Sequence, residues 1–227
     1  MEYLNPLLES ALLREIAPYT VSGYELFRQI VEVDGAIPAK LKALFVAVAA
    51  TNKGYGELAR REAARASSLG LTLKEAAAGL ILLSSLRGEG AALSFQAVLD
   101  TAYPSRQSAG QILRASQPVE PGEAENNFKQ YFGTIPAPLA KLLELSPKGA
   151  DGYYLMRKGT IECNTLDSKY AELLLVAVLA SDYSPMIATH IKAARTASAS
   201  DHELAEAILC AVPAAGIAAW VGAAAHL

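Results

Sequence analysis

Apolar positions along this chain recur at three- and four-residue steps. Leu41, Leu44, Phe45 and Val48 stand at i, i+3, i+4 and i+7, and Tyr170, Leu173, Leu174, Ala177 and Val178 lay out the same face again. That spacing predicts helices with one core-facing stripe. No alternation of β-branched residues is long enough to demand a sheet. Helix starts are marked as well. Thr72 with Glu75, and Ser200 with Glu203, have capping-box spacing: the hydroxyl accepts from the N3 amide while the glutamate reaches back. Ser184-Pro185 marks another start, with serine as cap and proline at N1, which puts His190 in the second turn of that helix. Tyr103-Pro104-Ser105 and Pro118-Val119-Glu120-Pro121-Gly122 read as punctuation, with a short helix around 110–115 between them.

The pattern occurs twice. Adding 128 to Gly70-Leu71-Thr72-Leu73-Lys74-Glu75 gives Ser198-Ala199-Ser200-Asp201-His202-Glu203, and the same shift carries Ala66 onto Ala194, Gly88 onto Gly216 and Glu62 onto His190. Gly35-Ala36-Ile37-Pro38-Ala39 recurs as Gly133-Thr134-Ile135-Pro136-Ala137 at a shift of 98. A repeat that survives in spacing implies one architecture built twice. The expected organisation is all-α: a first unit over 1–105, a linker over 106–127, and a second unit over 128–227 opened by Phe128. The two would be related by a pseudo-twofold, with a longer insertion before Leu166.

Charge and cysteine usage narrow the function. The net charge of −3 offers no basic field for nucleic acid or anionic lipid. Cys163 and Cys210 are far apart and belong to no motif, which suits a reducing compartment rather than a disulfide scaffold. The N-terminus lacks the basic-then-apolar order of a signal peptide, so the expected location is cytoplasmic. Residues 207–227 carry no charge apart from a protonatable His226, a length that could span a bilayer. They are nevertheless rich in Ala and Gly, contain Pro213 and have no basic flank. They are expected to be a buried helix broken near Pro213 at a domain or subunit interface.

The candidate chemistry lies in the second unit. Glu172 and His190 are 18 residues apart, on helices separated by Ser184-Pro185, so the chain can fold back and join them. A carboxylate would fix the tautomer of the imidazole, an arrangement suited to acid–base work near neutral pH. The structural alternatives are a hydrogen-bonded core histidine and a buried acid tying helix ends together. Tyr183, Met186 and Trp220 are candidate pocket walls or simply core. Lys169, Lys192 and Arg195 could meet a substrate carboxylate or be solvated. Glu62 is expected to form a solvated i,i+3 pair with Arg65, Glu57 with Arg60 and Arg61 a charged face, and His202 and His226 are expected at the surface. The three histidines have no metal-ligand spacing, and there is no Gly-rich phosphate loop.

Together these parts resemble the carboxymuconolactone decarboxylase family, whose fold is shared with alkylhydroperoxidase D. The resemblance rests on Ile135-Pro136, Glu172 in Tyr-Ala-Glu-Leu-Leu-Leu, His190 followed by Ala194, Ser200 with Glu203, and Cys210-Ala211-Val212-Pro213-Ala214-Ala215-Gly216. It covers most of 35–99 and 133–226, and the first copy lacks the histidine and has Leu44 where Glu172 maps. The peroxidase branch needs a Cys-x-x-Cys pair ahead of the histidine, and those places hold Tyr183 and Met186, which cannot make a thiolate attack. The resemblance therefore implies a cofactor-free lyase or isomerase acting on a small carboxylated lactone or ring, with His190 and Glu172 as catalytic residues. The alternative is a non-catalytic helical oligomerisation or small-molecule-binding member. A thiol peroxidase is disfavoured. The family's tendency to six units implies a homo-oligomer, most simply a trimer of two-unit chains.

Overall fold

The structure, a computed structural model, describes residues 5–104 and 117–227. Within them every regular element is a helix: α1 Ala11–Ile16, α2 Pro18–Glu32, α3 Ala39–Asn52, α4 Gly56–Ser68, α5 Leu73–Leu86, α6 Glu89–Ala102, α7 Glu123–Phe132, α8 Ala137–Leu145, α9 Pro147–Ile161, α10 Ser168–Ser181, α11 Ile187–Thr196, α12 Asp201–Leu209, α13 Val212–Ala215 and α14 Ala218–Ala224. The short helix expected at 110–115 lies outside the described residues.

The centre is built from α3 and α10. Residues 41–51 of α3 and 171–181 of α10 are all buried, so these helices are enclosed on every side rather than along one stripe. They pack against each other, and a single apolar core runs through both halves, from Val31 and Phe45 to Leu174, Ile191 and Ala219. Each fully buried Leu, Ile or Phe contributes about 1.5–3 kcal/mol. Gly79 lets α5 approach this core: a Cβ there would stand 2.5 Å from Val48 and 2.6 Å from Phe95. A smaller cluster of Ala124, Phe128, Ala150 and Tyr154 joins α7 to α9. Because α7 carries both Ala124 and Phe128 into that cluster, the second half begins ahead of Phe128.

Helix ends follow local chemistry. Both capping boxes form, Thr72 with Glu75 and Ser200 with Glu203. Glu75 is held at about 2 by hydrogen bonds from Lys40 and from the Thr72 amide and hydroxyl. Four helices close with the same pair of backbone bonds. In α3 and α4 the left-handed residue is Gly54 or Gly70, whereas in α10 and α11 it is Tyr183 (φ 54°) or Ser198 (φ 68°). α11 starts at Ile187, later than the Ser184-Pro185 signal implied. Ser184 Oγ accepts from the Met186 amide in the preceding turn, and His190 sits in the first turn of the helix.

The helix bounds recur. α2 and α9 are 15-residue helices starting 129 residues apart, α3 and α10 are 14-residue helices at the same shift, and α5 and α12 start 128 apart. Ahead of Leu166, α8 and α9 follow each other as α1 and α2 do, while α7 has no counterpart before α1 among the described residues. Ile37-Pro38 leads into α3, but Ile135-Pro136 leads into α8, and Leu166-Asp167 stands ahead of α10. The final stretch is broken where expected, between α12 and α13, although Ile217 and Val221 are exposed at 50% and 69%. No helix among the described residues is long and apolar enough to cross a membrane.

Glu62 departs from expectation. It does pair with Arg65, at 2.8 Å, but it is fully buried and also takes 2.8 Å contact from Arg28, which reaches Glu32 as well. The cause is tertiary, because α2 lays Arg28 across α4. Burial pushes the Glu62 carboxyl up, but Arg28 and Arg65 outweigh it and hold the group below the ordinary carboxyl value of 4.5. Replacing Glu62 with Gln strands two buried guanidinium groups and should lower stability by about 3–5 kcal/mol near neutral pH. A lowered folded pKa gives stability that is present above 4.5 and lost as pH falls through the folded value. The gap between wild type and Glu62→Gln in urea unfolding should therefore close on acidification. A gap that persists to low pH would assign the loss to packing instead.

Candidate functional site

The buried faces of α10 and α11 bring Glu172 and His190 together. Glu172 lies in the first turns of α10, 3% exposed, and His190 is the fourth residue of α11. The imidazole Nδ1 stands 2.8 Å from Glu172 Oε2. With its proton on Nδ1 the ring donates to the carboxylate and leaves Nε2 free to exchange a proton elsewhere. The Schellman turn at Tyr183 supplies the reversal that makes this meeting possible.

A cavity of about 820 Å³ opens beside the pair. Its walls come from α7 (Asn127, Gln130, Tyr131, Phe132), α9 (Arg157), Glu162, α10 (Ser168, Glu172) and α11 (Thr189, Lys192, Ala193, Thr196). Glu172 faces this space, while His190 is not among the lining residues. The wall is mixed in character, with two carboxylates, two cations, hydroxyls and amides around apolar stems, as small polar ligands require. Tyr131 is pushed up to about 12 by burial, with Glu172 adding and Arg157 opposing, so its hydroxyl is a donor at neutral pH. Among the described residues no group of His, Cys, Asp and Glu has the arrangement a metal ion needs.

The expected walls lie elsewhere. Tyr183 is half exposed, its hydroxyl donating to the Ala215 carbonyl at 2.6 Å with Lys53 Nζ 5.5 Å from its ring centroid. Met186 is half exposed at the start of α11, and Trp220 packs on the main core from α14. None of the three lines the cavity, because the left-handed turn carries Tyr183 toward α13 rather than toward α9. Of the cations, Lys192 reaches the cavity, whereas Lys169 pairs with Glu203 at 2.7 Å and Arg195 with Asp201 at 2.7 Å. Glu57 and Arg60 form an exposed pair, and His202 and His226 are exposed.

The contributions of α7 and α9 escape a sequence reading centred on the histidine. One signal was available. Arg157 is the eleventh residue of α9, as Arg28 is of α2, and an arginine 129 residues on from another is legible without a structure.

The fold and the pair define an all-helical domain with a carboxylate–imidazole dyad at the edge of a polar cavity. The sequence carries this further: residues 147–227 match the model of the Carboxymuconolactone decarboxylase family. No curated protein matches the chain.

Thiol chemistry has little to work with here. Cys210 is fully buried, and burial pushes its thiol up to about 12, far from a reactive thiolate, while Cys163 is an exposed free thiol. The chain should not reduce alkyl hydroperoxides through a dithiol cycle. A thiol-dependent peroxidase activity in the wild type that disappears in the Cys163→Ser, Cys210→Ser variant would overturn this.

Proposed function

We propose that the chain is a cofactor-free lyase or isomerase of the carboxymuconolactone decarboxylase type, acting on a small carboxylated lactone or ring. The observation that carries this reading is the Glu172–His190 contact of 2.8 Å, with Glu172 facing a cavity large enough for such a molecule. A structural ion pair would hold its two groups without a cavity. Here the carboxylate is buried, hydrogen-bonded and still on the wall.

The chemistry follows from the charges. A carboxylate bonded next to a conjugated carbonyl loses CO2 by breaking its C–C bond, and the electron pair passes into the carbonyl system. The carbon that gains those electrons must then take one proton. Glu172 delivers it from the wall, and His190 resupplies Glu172 through Nδ1 while exchanging with solvent at Nε2. Substrate carboxylate plus one proton gives product plus CO2. The pair acts as a unit, so either half of it matters.

The chain would work as a homo-oligomer, most simply a trimer of two-unit chains related internally by a pseudo-twofold. Support for the pseudo-twofold comes from Asn52 and Ser181, each the last residue of its helix, hydrogen-bonded to one another at 3.1 Å. Support for assembly comes from Ile217 and Val221, exposed on an Ala/Gly-rich end of the chain.

In a turnover assay on carboxymuconolactone, His190→Ala should lower the rate about a hundredfold or more, the usual scale for a positioned proton donor. His190→Gln should not rescue it, because an amide keeps the shape but moves no proton. Near-wild-type turnover in His190→Ala would leave only a binding or scaffold role. Light scattering at micromolar concentration should give the mass of a trimer; a dimer would overturn the number, and a stable monomer the assembly itself.

A further inference from the structure

The two halves treat one arginine differently. In α2, Arg28 is neutralised by Glu32, four residues on, and by Glu62 in α4. In α9 the matching arginine is Arg157, but the residue four further on is Ile161, and the place 128 beyond Glu62 is His190. The cation has been kept and both anions have gone. What remains around Arg157 does not replace them. Nη2 donates to Asn127 Oδ1, Glu162 stands off at 3.8 Å and is 46% exposed, and the Tyr131 ring lies over the guanidinium at 4.0 Å. The Nε and Nη1 groups and the Tyr131 hydroxyl are shut from solvent without a hydrogen-bond partner. Arg157 is itself 94% buried by its 6% exposure.

A buried donor without a partner costs about 1–3 kcal/mol, and more when it is charged. Two such donors on one guanidinium, beside a protonated tyrosine hydroxyl, are capacity that nothing in the chain fills; they lie on different edges, so a bidentate carboxylate also takes Nη2 and displaces Asn127 from it. Arg157 and Tyr131 both line the cavity that Glu172 faces, and a side-chain rotation of the kind common on binding brings these donors to a ligand there. We propose that Arg157, with the Tyr131 hydroxyl, is the seat for a ligand carboxylate, taking the place that Glu32 and Glu62 hold against Arg28. This rests on the reading that the cavity admits a small carboxylated substrate. It assigns Arg157 to orientation and leaves proton transfer to Glu172 and His190. A planar carboxylate fits the fork, whereas a tetrahedral anion matches it less well.

The test is a ligand-observed NMR titration of the full chain with 2-furoate, a small ring carboxylate, alongside its uncharged methyl ester and inorganic phosphate. Wild type should bind 2-furoate at least tenfold more tightly than either control. Arg157→Gln should abolish that preference, and Arg157→Lys, which keeps the charge but not the fork, should weaken 2-furoate by about tenfold. Tyr131→Phe, which removes only the hydroxyl, should weaken it several-fold. Each variant should unfold within a few degrees of wild type, since no carboxylate loses a close partner. Equal binding of phosphate, or full 2-furoate binding in Arg157→Gln, would overturn the seat while leaving the His190 chemistry intact. Loss of 2-furoate in the arginine variants, together with turnover that survives His190→Ala, would keep the seat and remove the acid–base reading.

Discussion

Enclosure of α3 and α10 on all sides is the constraint from which the rest follows. A helix with no solvent face cannot carry an unpaired charge, because stripping water from an ion costs several kcal/mol that only a close partner offsets. Each central helix nevertheless carries one deeply buried charge. Lys42 on α3 meets Glu206 at 2.9 Å and the Ile30 carbonyl at 2.7 Å; Glu172 on α10 meets His190 at 2.8 Å. The partners come from the helices that must pack there, α12 and α11, so pairing these charges also fixes how those helices dock. Glu206 extends the effect by accepting from the Ala36 and Ile37 amides, which ties the turn ahead of α3 to the second half of the chain.

Burial alone would explain Glu172, and Lys42 shows what a purely structural pair looks like. The two differ in what surrounds them. Lys42 is fully enclosed, with its partner bonded on both carboxylate oxygens. Glu172 has one oxygen bonded to an imidazole and opens on a cavity. The same contrast separates Glu62 from His190. At one position the first half places a carboxylate clamped by two arginines, and the second half places a histidine beside a cavity. The exchange replaces a carboxylate held by two arginines with an imidazole held by a carboxylate, without changing the order of helices.

Local signals were readable where local chemistry decides the outcome. The capping boxes at Thr72 and Ser200 form because hydroxyl and glutamate sit within one turn, and the helices α3 and α10 follow from their apolar periodicity, although burial extends round the whole helix rather than one stripe. Glu172 and His190 could be joined on paper because one short reversal separates their helices. Sequence reading failed where a distant element decides. Glu62 looked solvated because Arg28 is 34 residues away and its reach across α4 is a tertiary fact. Tyr183 and Met186 were read as candidate pocket walls from their places ahead of His190, but neither lies inside its helix. α11 begins at Ile187, and the left-handed turn before it sends Tyr183 to the Ala215 carbonyl instead. The walls from α7 and α9 could not be seen at all by following the histidine along the chain.

Where the second half breaks local rules, it does so around the candidate site. Tyr183 and Ser198 adopt left-handed backbone at places where the first half uses Gly54 and Gly70, and such a residue costs of order 1–3 kcal/mol without compensation. Arg157 gives up the carboxylates that stabilise Arg28. Two strained turns bracket the helix that carries His190, and the under-neutralised cation faces the same cavity as Glu172. A sequence under selection for stability alone would keep glycine at both turns and a carboxylate in close contact with Arg157, as Arg28 has in Glu32 and Glu62. Natural chains give up such local consistency at functional sites and recover it elsewhere. Here the recovery lies in the first half, whose Glu62 ion cluster and glycine turns support the shared core while the second half departs from them.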